Sequence, residues 1–350
     1  MAAPTSAMTT ADLVLVVAKL LGIAWYGLDG QNSALVPIQR VHLEDCLGIV
    51  NDGIRRFIQY GPKEGWRWRK RKTTVTFNTT GAGADNISND PARYLLEAGF
   101  GGKHYSPINY AHDSNRGLNI EWITPGNMRK LRANNTPTGY PNLASISSYG
   151  DGRWELTVYP DPSATDTIEF DYTVFFDELV MVSGVATGGA TVADPPSTTL
   201  IDSTLAHRFA DDYFGGGTDN NGTIVIIDGT GEFETAEITD YTGATGTFKT
   251  VGFSGASTPD TTSYYYALPK INTHPAGHEF DESIRQACRA EAAAQYEDIP
   301  RTYLDEFFNL VLPQAHVLDG QAAPRSVGSL NDVIPFFWTR RASDTLVNNE

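Results

Sequence analysis

Cysteine is nearly absent from this chain: Cys46 and Cys288 are the two among 350 residues. They lie far apart, and neither has metal-ligand spacing around it, so they support no disulfide framework. Both fall in helical patterns and read as small core residues. Long apolar runs are missing as well. The run at 13–23 contains Lys19 and follows Asp12. It is too short to span a bilayer and lacks the positive flank and cleavage site of a secretory signal. The expectation is a protein made and assembled in a cytoplasm, with no membrane partner. The sequons at Asn78, Asn86, Asn134 and Asn221 then carry no weight.

Positive charge is thin after residue 140. Residues 141–350 hold 10 Lys and Arg against 31 Asp and Glu, whereas residues 1–140 hold 16 against 11. The net charge of −16 argues against DNA binding through a broad basic face. The change of sign along the chain points to two surfaces with different partners, with chance clustering in an ordinary acidic soluble protein as the alternative.

Catalytic signatures are missing too. His274, His278 and Glu279 have metal-like spacing, but Pro275 and Gly277 rule out a helix presenting both imidazoles, and no third ligand is evident. The segment 252–256 lacks the last glycine of a nucleophile elbow. Gly215, Gly216 and Gly217 lead into neither a P-loop nor a dinucleotide fingerprint. Asp211, Asp212, Glu232 and Glu234 read as turn residues and solvated faces rather than glycosidase carboxylates. No EF-hand register is found. The expectation is a non-enzyme with no catalytic residue, no metal and no cofactor.

What is present is length enough for two domains and a sizeable core. Thr9 and Thr10 precede an apolar stripe of Leu13, Val17 and Leu20, which predicts a capped helix. Leu43, Leu47, Val50, Ile54 and Phe57 predict a second helix over 42–60, ended by Gly61-Pro62. Gly48 and Gly53 weaken it unless a neighbour approaches closely. Late in the chain, Phe280, Ile284, Ala287 and Cys288 mark a third helix. Leu304, Phe307, Phe308, Val311 and Leu312 mark a fourth, which Pro313 is expected to kink or end.

Between these pairs the period changes. In GWRWRKRKTTVTF, residues 65–77, Trp66 and Trp68 are expected on one side of a strand, with Arg67 and Arg69 on the other. Arg67, Arg69, Lys70, Arg71 and Lys72 are the sharpest charge feature. They read as a contact for DNA or an acidic protein ring, with a solvated strand face as the alternative. Residues 78–141 are loop-rich, with short ordered pieces near 92–98 and 118–123. In WELTVYPDPSATDTIEFDYTVFFDE, residues 154–178, both halves alternate apolar and polar, predicting one hairpin with a buried face. Residues 181–268 hold Arg208 and Lys249 against 11 acidic residues, with short strands between Gly turns, and read as an inserted small all-β module. The tail after residue 320 has no period. Phe336, Phe337, Trp338, Arg340 and Arg341 form a candidate docking knot there.

The helix LEDCLGIVNDGIRRFIQYG running into GWRWRKRKTTVTF, the strand–YPDP–strand segment and the late helical pair together resemble the head-to-tail adaptor (connector) proteins of tailed bacteriophages. The β module also resembles one that recurs in phage particle proteins. The resemblance implies an α+β fold: a helical bundle with a β-hairpin from 1–180 and 269–320, an inserted small all-β barrel or sandwich at 181–268, and an extended tail at 321–350. It implies a structural virion protein at the head–tail junction. About twelve copies would form a closed head-to-tail ring lining the DNA channel. Its partners would be the portal protein, a tail or nozzle protein, and genomic DNA held without sequence preference. Two other readings remain open. Tyr241, Tyr264, Tyr265 and Tyr266 could stack on sugars in a carbohydrate- or cell-surface-binding tail protein. A cell-wall hydrolase is the third class.

Overall fold

Thr9 opens the first helix, α1 (Thr10–Leu21), with a reciprocal cap: Asp12 N donates to Thr9 Oγ1 at 3.3 Å and Thr9 N donates to Asp12 Oδ2 at 2.9 Å. The computed structural model describes residues 8–28, 30, 33–63, 65–83, 85–97, 99–105, 108–110, 120–150, 152–193, 196–216 and 221–321. The chain divides into two units. One comprises residues 1–64, 181–270 and 277–350; the other comprises 65–180 and 271–276.

In the first unit, α2 (Arg40–Gln59) buries Leu43, Cys46, Val50, Ile54 and Phe57. The second unit then runs from β1 (Lys70–Thr76), β2 (Arg93–Leu95), β3 (Phe100–His104), β4 (Asn109–Tyr110) and β5 (Glu121–Trp122) to α3 (Pro125–Asn134). It continues through β6 (Thr138–Gly139), β7 (Leu143–Gly150), β8 (Arg153–Tyr159), β9 (Asp161–Pro162) and β10 (Thr167–Val174). The first unit resumes with β11 (Val182–Val185), β12 (Gly188–Ala193), β13 (Pro196–Ile201), β14 (Gly222–Asp228), β15 (Thr235–Thr242), β16 (Thr247–Thr250) and β17 (Tyr264–Leu268). It ends in α4 (Asp281–Gln295), α5 (Thr302–Glu306), a π-helical turn (Phe307–Val311) and α6 (Leu312–Gln321).

The helices of the first unit pack closely. A Cβ built on Gly53 would lie 2.7 Å from the Cys288 Cα, so α2 and α4 meet backbone to backbone. Arg56 Nε lies 2.5 Å from Glu291 Oε2 across the same contact, and Phe57 packs on Phe280. Pro313 does not stop the last helix. The π turn just before it absorbs the missing donor, and the helix continues to Gln321.

The seven strands β11 to β17 form one antiparallel sheet in the order β11-β17-β14-β15-β16-β13-β12. Its two edge strands are consecutive in the chain. Ala186 N donates to Ser263 O at 2.9 Å, and the next residue, Thr187, donates to Ile201 O at 2.7 Å. One peptide step therefore bridges both flanks, so the sheet curls into an open barrel. Phe214, Tyr241, Phe248 and Tyr265 fill it with ring centroids 4.9–5.8 Å apart. Asp202 is buried beside them and accepts from Tyr265 Oη at 2.7 Å.

The second unit is a β-sandwich. One sheet has the order β1-β10-β3, with β4 also pairing β10; the other has the order β2-β8-β7-β5. Phe77, Phe100, Ile168, Phe170 and Tyr172 from the first sheet share a core with Tyr94, Ala144, Ile146, Leu156 and Val158 from the second. Gly102, at φ +80°, lets the backbone approach Trp154: a Cβ there would lie 2.5 Å from the ring.

These observations correct the expected fold. The chain is dominated by strands, and no helical bundle with a small β module forms its core. The helices share a unit with the large curled sheet, while residues 65–180 build a sandwich of their own rather than joining a core over 1–180 and 269–320. The expected hairpin at 154–178 also dissolves. β8 pairs with β2 and β7, whereas β10 pairs with β1, β3 and β4. Alternation marks a buried face on each strand but does not name its partner. Pro160 and Pro162 lack the N–H donors of a continuing ladder, so the chain crosses between sheets there.

Candidate functional site: a basic edge strand

The basic run begins after Gly65, a left-handed glycine at φ +78°. Trp66 is buried and anchors the segment. Arg67–Arg69 then form one 3-10 turn, so the expected strand alternation of tryptophans and arginines is replaced by a turn. From Lys70 the chain is strand, at the edge of its sheet and paired on one side to β10.

Register separates the charges. Thr73 and Val75 lie opposite the buried Phe170 and Ile168, while Lys70 and Lys72 lie opposite Thr173 and Asp171 on the outer face. Lys72 forms an ion pair with Glu169. Lys70 Nζ sits 4.7 Å from the centre of the Tyr105 ring, and Lys103 Nζ sits 5.3 Å from the same ring. Arg69 turns inward and donates from Nη2 to Val174 O at 2.9 Å. Burial lowers its pKa, yet a guanidinium stays charged at neutral pH. Arg67 and Arg71 are exposed.

The five residues thus play different parts. Arg69 and Lys72 are committed within the protein, Lys70 is shared with an aromatic ring, and Arg71 presents its charge to solvent. Lys103 and Tyr105 belong to the same patch. Their segment is short and glycine-rich, so the period-2 step from Lys103 to Tyr105 is the sequence signal that marks them. His104 between them points the other way, with its ring 4.0 Å from that of Trp122, and burial lowers its pKa. It is therefore neutral near pH 7 and adds nothing to the patch. Glu169 and Asp171 offset much of the remaining charge, so the surface suits weak phosphate contacts.

The other candidates disperse. Among the described residues no group of three or more His, Cys, Asp and Glu could hold a metal. His274 is buried, while the exposed His278 opens a 3-10 turn. Asp211 Oδ1 accepts from Gly243 N at 2.7 Å, and Glu234 accepts from Ser257 N at 3.3 Å, so these carboxylates cap turns. The sugar platform is not assembled: Tyr241 and Tyr265 are wholly buried in the open barrel, and Tyr264 stacks on Trp25 at 4.9 Å. Burial pushes the thiols of Cys46 and Cys288 up to about 12, which leaves both unreactive at neutral pH. Phe336, Phe337, Trp338, Arg340 and Arg341 lie outside the described residues. Comparison with models of known protein families and with curated protein sequences gives no match.

Proposed function

We propose that this chain is a structural virion protein of a tailed bacteriophage, a head-to-tail adaptor that docks under the portal and links it to the tail. One observation carries the reading: the segments that resemble the adaptor family fall, in order, on well-formed elements. α2 leads into the basic turn and edge strand. β8, the Tyr-Pro-Asp-Pro crossing and β10 tie together the two sheets of the sandwich. α4 and the helix ending at Gln321 follow, in the same unit as α2. The function is mechanical. About twelve copies close head to tail around an axis, a heterologous ring, and each interface must bury enough surface to withstand a packed genome. Lys70 and Arg71 are the side chains that would touch DNA phosphates, without reading sequence, so that the genome slides.

The test is assembly. Alone, the purified chain should size as a monomer or weak oligomer. Mixed with portal rings of the parent particle, it should appear beneath them as a ring of about twelve copies in electron micrographs. A chain that leaves portal rings bare at micromolar concentration is not an adaptor.

A further inference from the structure

The second unit has a polar chamber that plays no part in the ring reading. Strand register builds its floor. Arg93 of β2 lies opposite Thr157 of β8, which lies opposite Ser145 of β7; the next row holds Leu95, Glu155 and Ser147. These residues face away from the sandwich core, whose side is taken by Tyr94, Leu156, Val158, Ala144 and Ile146. α3 covers this face. Pro125, Met128, Arg129 and Arg132 share one side of the helix and line a cavity of about 490 Å³ with Arg93, Ser145 and their neighbours. Met128 is the one buried residue of α3. A helix that merely packed on a sheet would bury an apolar stripe against an apolar floor. This one roofs hydroxyls and guanidinium groups.

The charged groups lining the chamber are Arg93, Arg129, Arg132 and Glu155. Arg132 is spent: it contacts Asp161 Oδ1 at 3.0 Å through Nη1 and Asp90 Oδ2 at 2.7 Å through Nη2. Arg93 Nη2 holds Glu155 Oε2 at 2.6 Å, and Ser147 Oγ donates to Glu155 Oε1 at 3.0 Å. Both oxygens of the one lining carboxylate are therefore occupied. Arg129 makes no ion pair among the described residues; its Nε reaches Pro125 O of its own helix at 3.4 Å. Ser145 is 2% exposed, and its hydroxyl has no hydrogen-bond partner among the described residues. A buried hydroxyl without a partner costs stability, and such a group in a binding chamber marks where a ligand atom belongs.

We propose that this chamber binds a compact oxyanion of the phosphate class, free or carried on a small ester. The Arg129 guanidinium supplies the charge and a fork of donors, the Ser145 hydroxyl donates from the floor, and the Arg93–Glu155 pair holds the wall in place. The volume fits a small molecule. The helical roof excludes a nucleic-acid duplex. The site stands whether or not the chain forms a ring.

Calorimetric titration of the full chain tests this with inorganic phosphate and with glycerol 3-phosphate, at an ionic strength matched with chloride. Binding of either probe is expected to weaken at least about tenfold in Arg129→Gln, and by a similar factor in Ser145→Ala. Both variants should keep the circular dichroism spectrum of the parent, since Arg129 is exposed and Ser145→Ala removes an unpaired group. Binding of phosphate itself identifies a free-anion site; binding of the ester alone identifies a site for the esterified group. The proposal is overturned if neither probe binds, if Arg129→Gln binds as the parent does, or if duplex DNA is the sole phosphate source that responds.

Discussion

Gly48 and Gly53 sit in the same helix and have opposite reasons to be there. At Gly53 a Cβ would press on the Cys288 backbone at 2.7–2.9 Å, whereas at exposed Gly48 it would meet nothing within 4 Å. Gly53→Ala should therefore destabilise the chain by about 1–3 kcal/mol, the cost of forcing apart a packed interface. Gly48→Ala should stabilise it by up to about 1 kcal/mol through helix propensity. Urea unfolding of the two variants checks this, and two shifts of the same sign would refute the close contact. His104 offers a residue-scale test by pH. Its folded pKa lies below the ordinary imidazole value, so on acidification the unfolded chain takes up its proton first. Its contribution is complete above about pH 6.5 and is lost as pH falls through the lower folded value. Across that window His104→Phe should lose less stability between pH 7.5 and pH 5, roughly, than the parent does. Parallel urea midpoints for the two proteins would show that His104 is not buried as described.

At the scale of elements, the legible features were those encoded locally. The Thr9 cap, the stripe from Leu43 to Phe57 and the alternation of Ile168, Phe170 and Tyr172 each report a face or an end, and each falls on an ordered element. Strand partnership is not local. β8 and β10 are neighbours in the chain, yet apart from the adjacent β7 they pair with distant strands, Arg93 with Thr157 in one sheet and Lys70 with Thr173 or His104 with Tyr172 in the other. The stretch from 78 to 141 resisted reading because its strands are two to five residues long. That is too short for a period to show. The basic run was visible as composition, but the 3-10 turn and the pairing of Lys72 with Glu169 decide which of its charges are available. From that division follows a prediction for the edge strand. Arg71→Gln should reduce the salt dependence of duplex DNA binding by about one counter-ion, uniformly across sequences. Arg69→Gln should instead lower stability. Equal effects of the two variants on DNA binding in filter assays would contradict the assignment.

At the scale of the whole molecule, the chain leaves its first unit after Glu64, builds a sandwich, and returns at Met181 to make the curled sheet before its last helices. The barrel wall has a seam. β11 and β12 each have a strand on one side and follow one another in the chain. A cylinder left unlocked along one line does not loosen evenly. Amide hydrogens of β11 and β12 should trade with deuterated water first, and those of β15, three ladders in from either end, should trade last. The sheet would peel from that line inward, like a scroll opening at its overlap, while the aromatic filling around Phe248 stays closed until the end.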